Sequence, residues 1–280
     1  EKVIYTMTDE DFELPTPTRN GYEFVGWTGE RITTPQTSVK IPKGSTGNKA
    51  YTANWQVIKY TIITLLEGGN AGSSGAYVYT VEETFTLPTP TRKGYTFFGW
   101  TGEGITTPQT SVKIPKGSTG NKAYTANWKV IEYTITLDTN GGPNVSPIKY
   151  TVEDSFTLPY PLRPGYEFAG WVLDGSGQFP STPMIIPEGS TGDRIYKAEW
   201  RVATYTITYV SHGKAYNWVQ YTINNQIYFG APEEDPSYYL PGYTFVGWKI
   251  DGVSGTPRSY MLPKGSYGNR TATMLWEPIP

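Results

Sequence analysis

Hydrophobic and polar residues alternate along short stretches of this chain, and the alternation predicts β-strands. In residues 195–200, Tyr196, Ala198 and Trp200 share one face, while charged side chains occupy the other. Residues 133–138 repeat the pattern, with aromatic and aliphatic side chains on one face and threonine on the other. This two-residue period is typical of strands with one buried and one solvated face. No window has the three- and four-residue spacing of an amphipathic helix.

Three motifs recur together four times, which predicts a tandem array. The first, GYxFxGW, recurs at offsets of 73, 71 and 77 residues, and the second, P-[KE]-G-S-x-G, at offsets of 73, 72 and 76. A tryptophan closes each copy, so three independent features keep one period. The first motif begins at Gly21, Gly94, Gly165 and Gly242, the second begins at Pro42, Pro115, Pro187 and Pro263, and the closing residues are Trp55, Trp128, Trp200 and Trp276.

The repeats differ at their starts. Copies two to four open with a strand-like run that begins at Tyr60, Tyr133 and Tyr205. Nothing equivalent precedes Glu1, so the first module is expected to be truncated at its N-terminus and the chain to be a fragment of a longer polypeptide. Each boundary lies in 20 residues without glycine or proline, so little motion between neighbouring modules is expected. The predicted modules are residues 1–57, 58–129, 130–201 and 202–280.

The first two copies are almost the same sequence. Residues 14–55 match residues 87–128 at 38 of 42 positions. A substrate pocket gains nothing from being copied along a chain, whereas a stalk or a multivalent binder does. The duplication therefore favours one of these two roles over an enzyme.

Composition excludes several classes of site. The chain has no cysteine, so disulfides and thiolate metal sites are impossible. It has one histidine, which cannot supply a catalytic base to each of several equivalent modules. Its net charge of −2 gives no electrostatic footprint for nucleic acid. Its apolar runs are too short to insert into a membrane. We expect no catalytic residue, metal or cofactor.

Two isolated features are reminiscent of metal or catalytic sites but have simpler interpretations. The run from Asp138 to Gly142 looks like the start of a calcium loop, but its twelfth position is Lys149 rather than an acidic ligand. His212 lies in Ser-His-Gly between two predicted strands, without a nucleophile or paired histidine motif. Both features are interpreted as turns.

The tryptophans that end GYxFxGW have two possible roles. Trp27, Trp100, Trp171 and Trp248 could stack on sugars. A sheet of this size, however, needs large side chains to form a core. Because the tryptophan recurs with a phenylalanine partner in every copy, a core role is favoured.

The fourth copy has aromatic residues beyond this framework. Trp218 is the one tryptophan outside the motifs, Tyr216 precedes it by two positions, and Tyr238 and Tyr239 lie in the loop before the fourth GYxFxGW. Exposed aromatic rings beside asparagine and glutamine suit contact with a carbohydrate or a protein. These four residues form the predicted ligand site, and a locally rebuilt core is the alternative.

Together the motifs resemble the Listeria–Bacteroides repeat, the internalin B-repeat type found on bacterial surface proteins. The resemblance includes the P-x-R lead-in at 17–19, 90–92 and 161–163, and it covers essentially the whole chain. The fourth copy departs from it, with Pro-Ser-Tyr-Tyr-Leu-Pro at 236–241. The resemblance implies a β-grasp-like sheet in each repeat, of an α+β family type, and an extracellular location. It also implies a spacer, adhesin or host-interaction role without shared catalytic residues.

The sequence therefore predicts a mostly β tandem array of four small β-grasp-like modules, secreted or attached to a bacterial surface. We expect an extracellular stalk that acts as a spacer and in adhesion, with no enzymatic activity and no cofactor. Its partner would be a host-surface or matrix glycan or protein, and neither nucleic acid nor membrane. The alternative is a dedicated carbohydrate- or protein-binding module with its site in the fourth repeat.

Overall fold

A computed structural model describes residues 2–72, 75–232 and 240–280 of the chain. These residues form strands, turns and loops, and they include no α-helix. The prediction of a β protein is therefore confirmed for the described part of the chain. The chain divides into two compact units, residues 1–131 and 132–280, each of which has its own sheets.

The first repeat has a three-stranded antiparallel sheet and a separate two-stranded ribbon. The sheet contains the GYxFxGW strand, and the ribbon precedes the turn formed by the second motif. The strands are β1 (Phe12–Glu13), β2 (Tyr22–Gly29), β3 (Ile32–Gln36), β4 (Lys40–Ile41) and β5 (Tyr51–Val57), with sheet order β3-β2-β5 and ribbon β1-β4.

The second repeat has the same elements and two additional strands, so its main sheet is five-stranded. Its strands are β6 (Tyr60–Leu65), β7 (Ala76–Tyr79), β8 (Phe85–Thr86), β9 (Tyr95–Gly102), β10 (Ile105–Gln109), β11 (Lys113–Ile114) and β12 (Lys122–Val130), with sheet order β10-β9-β12-β6-β7 and ribbon β11-β8.

The second unit contains two four-stranded sheets, each with its own ribbon. In the third repeat the strands are β13 (Tyr133–Asp138), β14 (Ile148–Tyr150), β15 (Phe156–Thr157), β16 (Tyr166–Leu173), β17 (Ile185–Ile186) and β18 (Arg194–Val202), with sheet order β14-β13-β18-β16. In the fourth they are β19 (Tyr205–Ser211), β20 (Lys214–Tyr221), β21 (Ile227–Phe229), β22 (Tyr243–Ile250), β23 (Tyr260–Leu262) and β24 (Arg270–Pro278), with sheet order β20-β19-β24-β22.

In three of the four main sheets, the strand that opens the repeat lies parallel to the strand that closes it. β6 pairs with β12, β13 with β18, and β19 with β24. A parallel pair needs a long crossover, and this crossover carries the first two motifs. The isoleucine at the centre of each opening strand is completely buried (Ile62, Ile135 and Ile207). In residues 2–57, β5 has β2 as its sheet neighbour, and no strand lies parallel to it.

A β-bulge inside the GYxFxGW strand places its phenylalanine and its tryptophan on the same face of the sheet. Residues three apart in a regular strand point to opposite faces. In β16, the register with β18 shifts between Phe168 and Gly170, so one extra residue reverses the alternation. The rings of Phe168 and Trp171 then meet edge to face with centroids 5.4 Å apart. Phe168 meets the closing Trp200 at the same distance.

The bulge requires glycine for a steric reason. Gly170 has a φ of 136°, and a Cβ atom there would lie 2.6 Å from the backbone nitrogen of Ser181. At Gly99 of the second repeat, a Cβ would lie 2.6 Å from the backbone nitrogen of Gln109. Because two backbones approach this closely, no other residue fits without a shift of the chain.

The second motif forms a turn that a tyrosine of the main sheet holds in place. The Ser190 hydroxyl donates to the carbonyl of Pro187 at 2.6 Å, and the Tyr150 hydroxyl donates to the carbonyl of Gly192 at 2.6 Å. Burial raises the pKa of Tyr150 above its ordinary value. The same two hydrogen bonds recur in the other repeats, although the donor in the first repeat, Tyr5, lies outside any strand. This motif therefore belongs to the structural framework.

The tryptophans of GYxFxGW are core residues in three repeats. Trp100, Trp171 and Trp248 are 0%, 1% and 3% exposed and belong to three separate apolar clusters. Their predicted core role is therefore confirmed. Trp27 differs, because it is only half-buried. A gap of about 150 Å³ beside Val3 reaches its ring.

Neighbouring repeats within each unit pack at the first glycine of GYxFxGW. In the second unit, the Ala203 amide donates to the carbonyl of Gly165 at 3.0 Å, in the two-residue link between β18 and β19. A Cβ on Gly165 would lie 2.3 Å from Cγ2 of Ile223 in the next repeat. In the first unit, a Cβ on Gly21 would lie 2.1 Å from Cγ1 of Val81. We call this contact the glycine joint.

Trp171→Ala is expected to cost about 3–5 kcal/mol of local stability, because truncating a buried aromatic leaves a cavity. Trp218→Ala is the control, since that ring is 63% exposed and surface changes usually stay within about 0.5 kcal/mol. Hydrogen exchange with mass spectrometry on the full chain reads residues 133–202 separately from the rest. Unchanged protection of residues 133–202 in Trp171→Ala would contradict the core assignment.

The amides of β5 are expected to exchange faster than those of β18. β18 lies between β13 and β16, whereas β5 has one neighbour in its sheet, and an unpaired edge leaves backbone groups open to water. The comparison uses Tyr51–Val57 and Arg194–Val202 in one hydrogen-exchange experiment on the monomeric chain. Equal protection of the two strands would refute the open edge.

Candidate functional site

Trp218 lies on the solvent-facing side of the sheet in the fourth repeat. It is in register with Thr208 of β19, and its side chain is 63% exposed. The next residue, Val219, packs against the core. Because successive side chains of a strand point to opposite faces, Trp218 points away from the core. Its amide donates to the side-chain oxygen of Asn217 at 2.8 Å.

Tyr216 lies on the other side of the same sheet. The register between β19 and β20 shifts by one residue beside Tyr209, so Tyr216 is the extra residue of a bulge. It packs against the core, its ring centroid is 6.1 Å from that of Tyr209, and its hydroxyl donates to Sδ of Met274 at 3.9 Å. The structure therefore does not bring Tyr216 and Trp218 together.

A cavity of about 310 Å³ opens beside Tyr216. Trp218 does not line it, and the other two predicted site residues, Tyr238 and Tyr239, lie outside the described residues. Its aromatic walls and one amide could hold a small ring-shaped ligand. The principal lining residues are Tyr209, Tyr216, Asn217, Tyr228, Trp248 and Met274.

The fourth repeat has a rebuilt core around this cavity. By strand register, Tyr209 stands where the third repeat has Leu137, and Met274 stands where it has Ala198. The Tyr209 ring lies 5.7 Å from Phe229 and 5.9 Å from Trp248 between centroids. The alternative of a rebuilt core thus accounts for Tyr216 but not for the exposed Trp218.

The GYxFxGW tryptophans of the third and fourth repeats are unsuited to stacking on a ligand, because their rings are buried and their indole N–H groups are already bonded. The indole nitrogens of Trp27 and Trp100 are buried without a hydrogen-bond partner among the described residues. The indole N–H of Trp171 donates to the carbonyl of Pro159 at 2.8 Å, and that of Trp248 donates to the carbonyl of Gly230 at 2.9 Å. The closing Trp200 donates to the carbonyl of Thr139 at 2.9 Å, which ties it to the end of the opening strand.

His212 and the Asp138–Gly142 run are turns, as the sequence indicates. His212 has a φ of 51° between β19 and β20, and its ring stacks on Trp276 with centroids 5.8 Å apart. Asn140 has a φ of 48° in a turn closed by a hydrogen bond from the Gly142 amide to the carbonyl of Thr139. Across residues 2–72, 75–232 and 240–280, no group of three His, Cys, Asp or Glu side chains is placed to hold a metal.

Sequence reasoning missed a second group of exposed apolar side chains. Tyr160, Leu162 and Tyr267 are 61%, 74% and 53% exposed, and they line one crevice in the second unit. The first two repeats have threonine at every corresponding position. Comparing the repeats position by position would have found these residues, because each replaces a threonine of the first two repeats.

Two repeat families match the chain. The Listeria-Bacteroides repeat domain matches residues 133–191 and 205–266. The divergent InlB B-repeat domain matches residues 9–59 and 61–132. The matched segments follow the four repeats marked by the three motifs.

Two relatives come from Evansella cellulosilytica. One, named "Putative Gly-rich membrane protein", is 26% identical over 255 residues, which cover 90% of this chain and 28% of the relative. The other, named "Putative membrane protein", is 26% identical over 246 residues, covering 85% of this chain and 36% of the relative. The chain thus spans about a third of the length of each. Among the described residues, no helix is long and apolar enough to cross a membrane.

A solved structure titled "The Bacillus anthracis TIE protein" aligns with 94% of this chain and 67% of its own. The identity is 10% and the TM-score is 0.30.

Proposed function

Because the chain belongs to the Listeria-Bacteroides repeat and divergent InlB B-repeat families, we propose that it is an extracellular, non-catalytic spacer of a bacterial surface protein with a role in adhesion. Its units are four β-grasp-like modules with the boundaries given by the sequence repeats. The spacer holds a binding surface away from the cell, and the partner is a host-surface or matrix glycan or protein.

The glycine joint is the observation that carries this proposal. A spacer has to keep neighbouring modules in a fixed arrangement, and a close-packed contact beside a two-residue link suits that task. The joint recurs at Gly21 and at Gly165. In the first unit it is reinforced by the Tyr22 hydroxyl, which donates to the Glu82 carboxylate at 2.8 Å. This hydrogen bond raises the pKa of Tyr22.

The sheets and the relatives support the finer parts of the proposal. In each of these mixed sheets, the strand that opens the repeat and the strand that closes it lie side by side and parallel in the interior of the sheet. This arrangement suits a β-grasp-like module. The two Evansella relatives are named as membrane proteins and are much longer than this chain, which fits a repeat region within a larger envelope protein. A tandem array, in which each repeat contacts its neighbours along the chain, suits a mechanical role.

A dedicated binding module with its site in the fourth repeat is the second candidate. Its support is the 310 Å³ cavity together with the exposed Trp218 on the opposite face of the same sheet. Surface loops that differ from a shared framework are common places for recognition. Under this function the array would still act as a scaffold for the site.

The spacer proposal predicts a narrow distance distribution between neighbouring repeats. The chain has no cysteine, so Glu188→Cys and Lys264→Cys, both at exposed positions in corresponding turns, accept two spin labels specifically. Pulsed electron paramagnetic resonance should give one narrow peak for the distance between the two labels. Gly165→Ala should broaden it, because the new methyl group would collide with Ile223.

Gly242→Ala is the matched control for this measurement. Gly242 holds the same motif position with a φ of 82°, but among the described residues nothing lies within 4 Å of the point that a Cβ atom would occupy there. It should leave the distance peak unchanged. A broad distribution in the unmodified chain, or no response to Gly165→Ala, would contradict a stiff spacer.

A further inference from the structure

The crevice between the third and fourth repeats has side chains that the shared framework does not need. It has a volume of about 350 Å³ and lies wholly within the second unit. Tyr160 and Leu162 come from the segment before the third GYxFxGW, and Tyr267 comes from the turn of the fourth repeat. Isolated exposed apolar residues are ordinary, but three that converge on one concave surface mark an interaction site.

The repeats themselves show that these residues are not required for folding. The first two repeats have Thr16, Thr18 and Thr119 at the three corresponding positions. They keep the arginine before the GYxFxGW glycine and the glycine joint itself. The second unit has therefore gained apolar surface at a joint that forms without it.

The crevice walls are held in place before any ligand arrives. The Tyr160 ring meets Phe168 edge to face with centroids 4.9 Å apart. The Arg163 guanidinium lies 3.9 Å from the centre of the Tyr166 ring, and its Nη1 donates to the carbonyl of Asn140 at 3.0 Å. A pre-formed site loses little conformational entropy on binding.

The polar groups of the crevice select the kind of ligand. Its lining residues carry one positive and one negative side chain, Arg163 and Glu167. This balance disfavours a polyanion or a polycation. The planar guanidinium can donate two hydrogen bonds to adjacent hydroxyl groups of one ligand, and the carboxylate can accept two from such groups. Tyr205 of the fourth repeat adds a further aromatic ring.

From this arrangement we propose that the crevice binds one or two rings of a neutral carbohydrate chain. The exposed tyrosines stack on the apolar faces of the sugar, and Arg163 and Glu167 bond its hydroxyl groups. A volume near 350 Å³ lies at the lower end of the roughly 300–1,000 Å³ of small-molecule sites, which suits a short segment of glycan. The proposal is independent of the spacer role, since it requires only the second unit's joint.

The test is a titration of the isotope-labelled full chain with chitotriose, cellotriose, mannotriose and lactose, followed by amide NMR shifts. At least one sugar should shift signals around Tyr160 and Tyr267. The combined variant Tyr160→Thr, Leu162→Thr and Tyr267→Thr restores the residues of the first joint, so it should fold normally. It should weaken binding about tenfold or more, equal to about 1.4 kcal/mol or more.

Two further variants make the test specific. Phe179→Ala should bind as the unmodified chain does, because that ring is 93% exposed and does not line the crevice. Thr16→Tyr, Thr18→Leu and Thr119→Tyr together should create a second site in the first unit and raise the stoichiometry from one to two. Amide spectra of each variant establish that it is folded.

Several outcomes would overturn the proposal. These are silence towards all four sugars, binding that survives the triple threonine variant, and binding that is lost in Phe179→Ala. A proline-rich peptide or a heparin fragment that shifts the crevice signals when the sugars do not would also overturn it, in favour of that partner. The spin-label distances test the spacer role separately, so failure of one proposal leaves the other measurable.

Discussion

The glycine bulge in GYxFxGW is the constraint on which the rest of each repeat depends. Without it, Phe168 and Trp171 would point to opposite faces of β16. With it, both rings and the closing Trp200 form one cluster on the same face. A sheet of four short strands has little apolar area to bury, and these three aromatic rings are a large part of its core. The bulge needs glycine because the neighbouring backbone comes too close to leave space for a Cβ atom.

Framework and recognition occupy different positions in the repeat. The bulge, the serine turn and the glycine joint use the residues that all four copies share, and they account for the three motifs as structure. Residues that could contact a partner lie at positions where one repeat differs from the others. Trp218 is one example, and Tyr160, Leu162 and Tyr267 are another. This division allows one array to serve as a spacer and still carry binding surfaces at chosen places.

Sequence reasoning reached the fold through alternation and repetition, and it failed where the alternation breaks. The pattern at Tyr196, Ala198 and Trp200 correctly predicted β18, and the recurrence of Trp171 correctly predicted a core residue. Tyr216 was grouped with Trp218 because they are two positions apart, but a bulge turns Tyr216 towards the core. This second bulge contains no glycine, so residues 215–217 give no sequence signal for the reversal of side-chain phase. Trp27 is half-buried because a gap lined by Val3 and Tyr51 of β5 reaches its ring. The GYxFxGW motif alone does not encode the residues that pack around this gap.

Hydrogen exchange of Gly99→Ala against Gly104→Ala in the full chain tests the role of the bulge most directly. Both glycines have positive φ, 136° and 82°, but only Gly99 has backbone atoms within 3 Å of its would-be Cβ, whereas around Gly104 the described residues leave open space. The account predicts that Gly99→Ala loses amide protection across β9 and β12, while Gly104→Ala keeps it. Protection in Gly99→Ala equal to that of the unmodified chain would contradict the bulge as the foundation of the repeat.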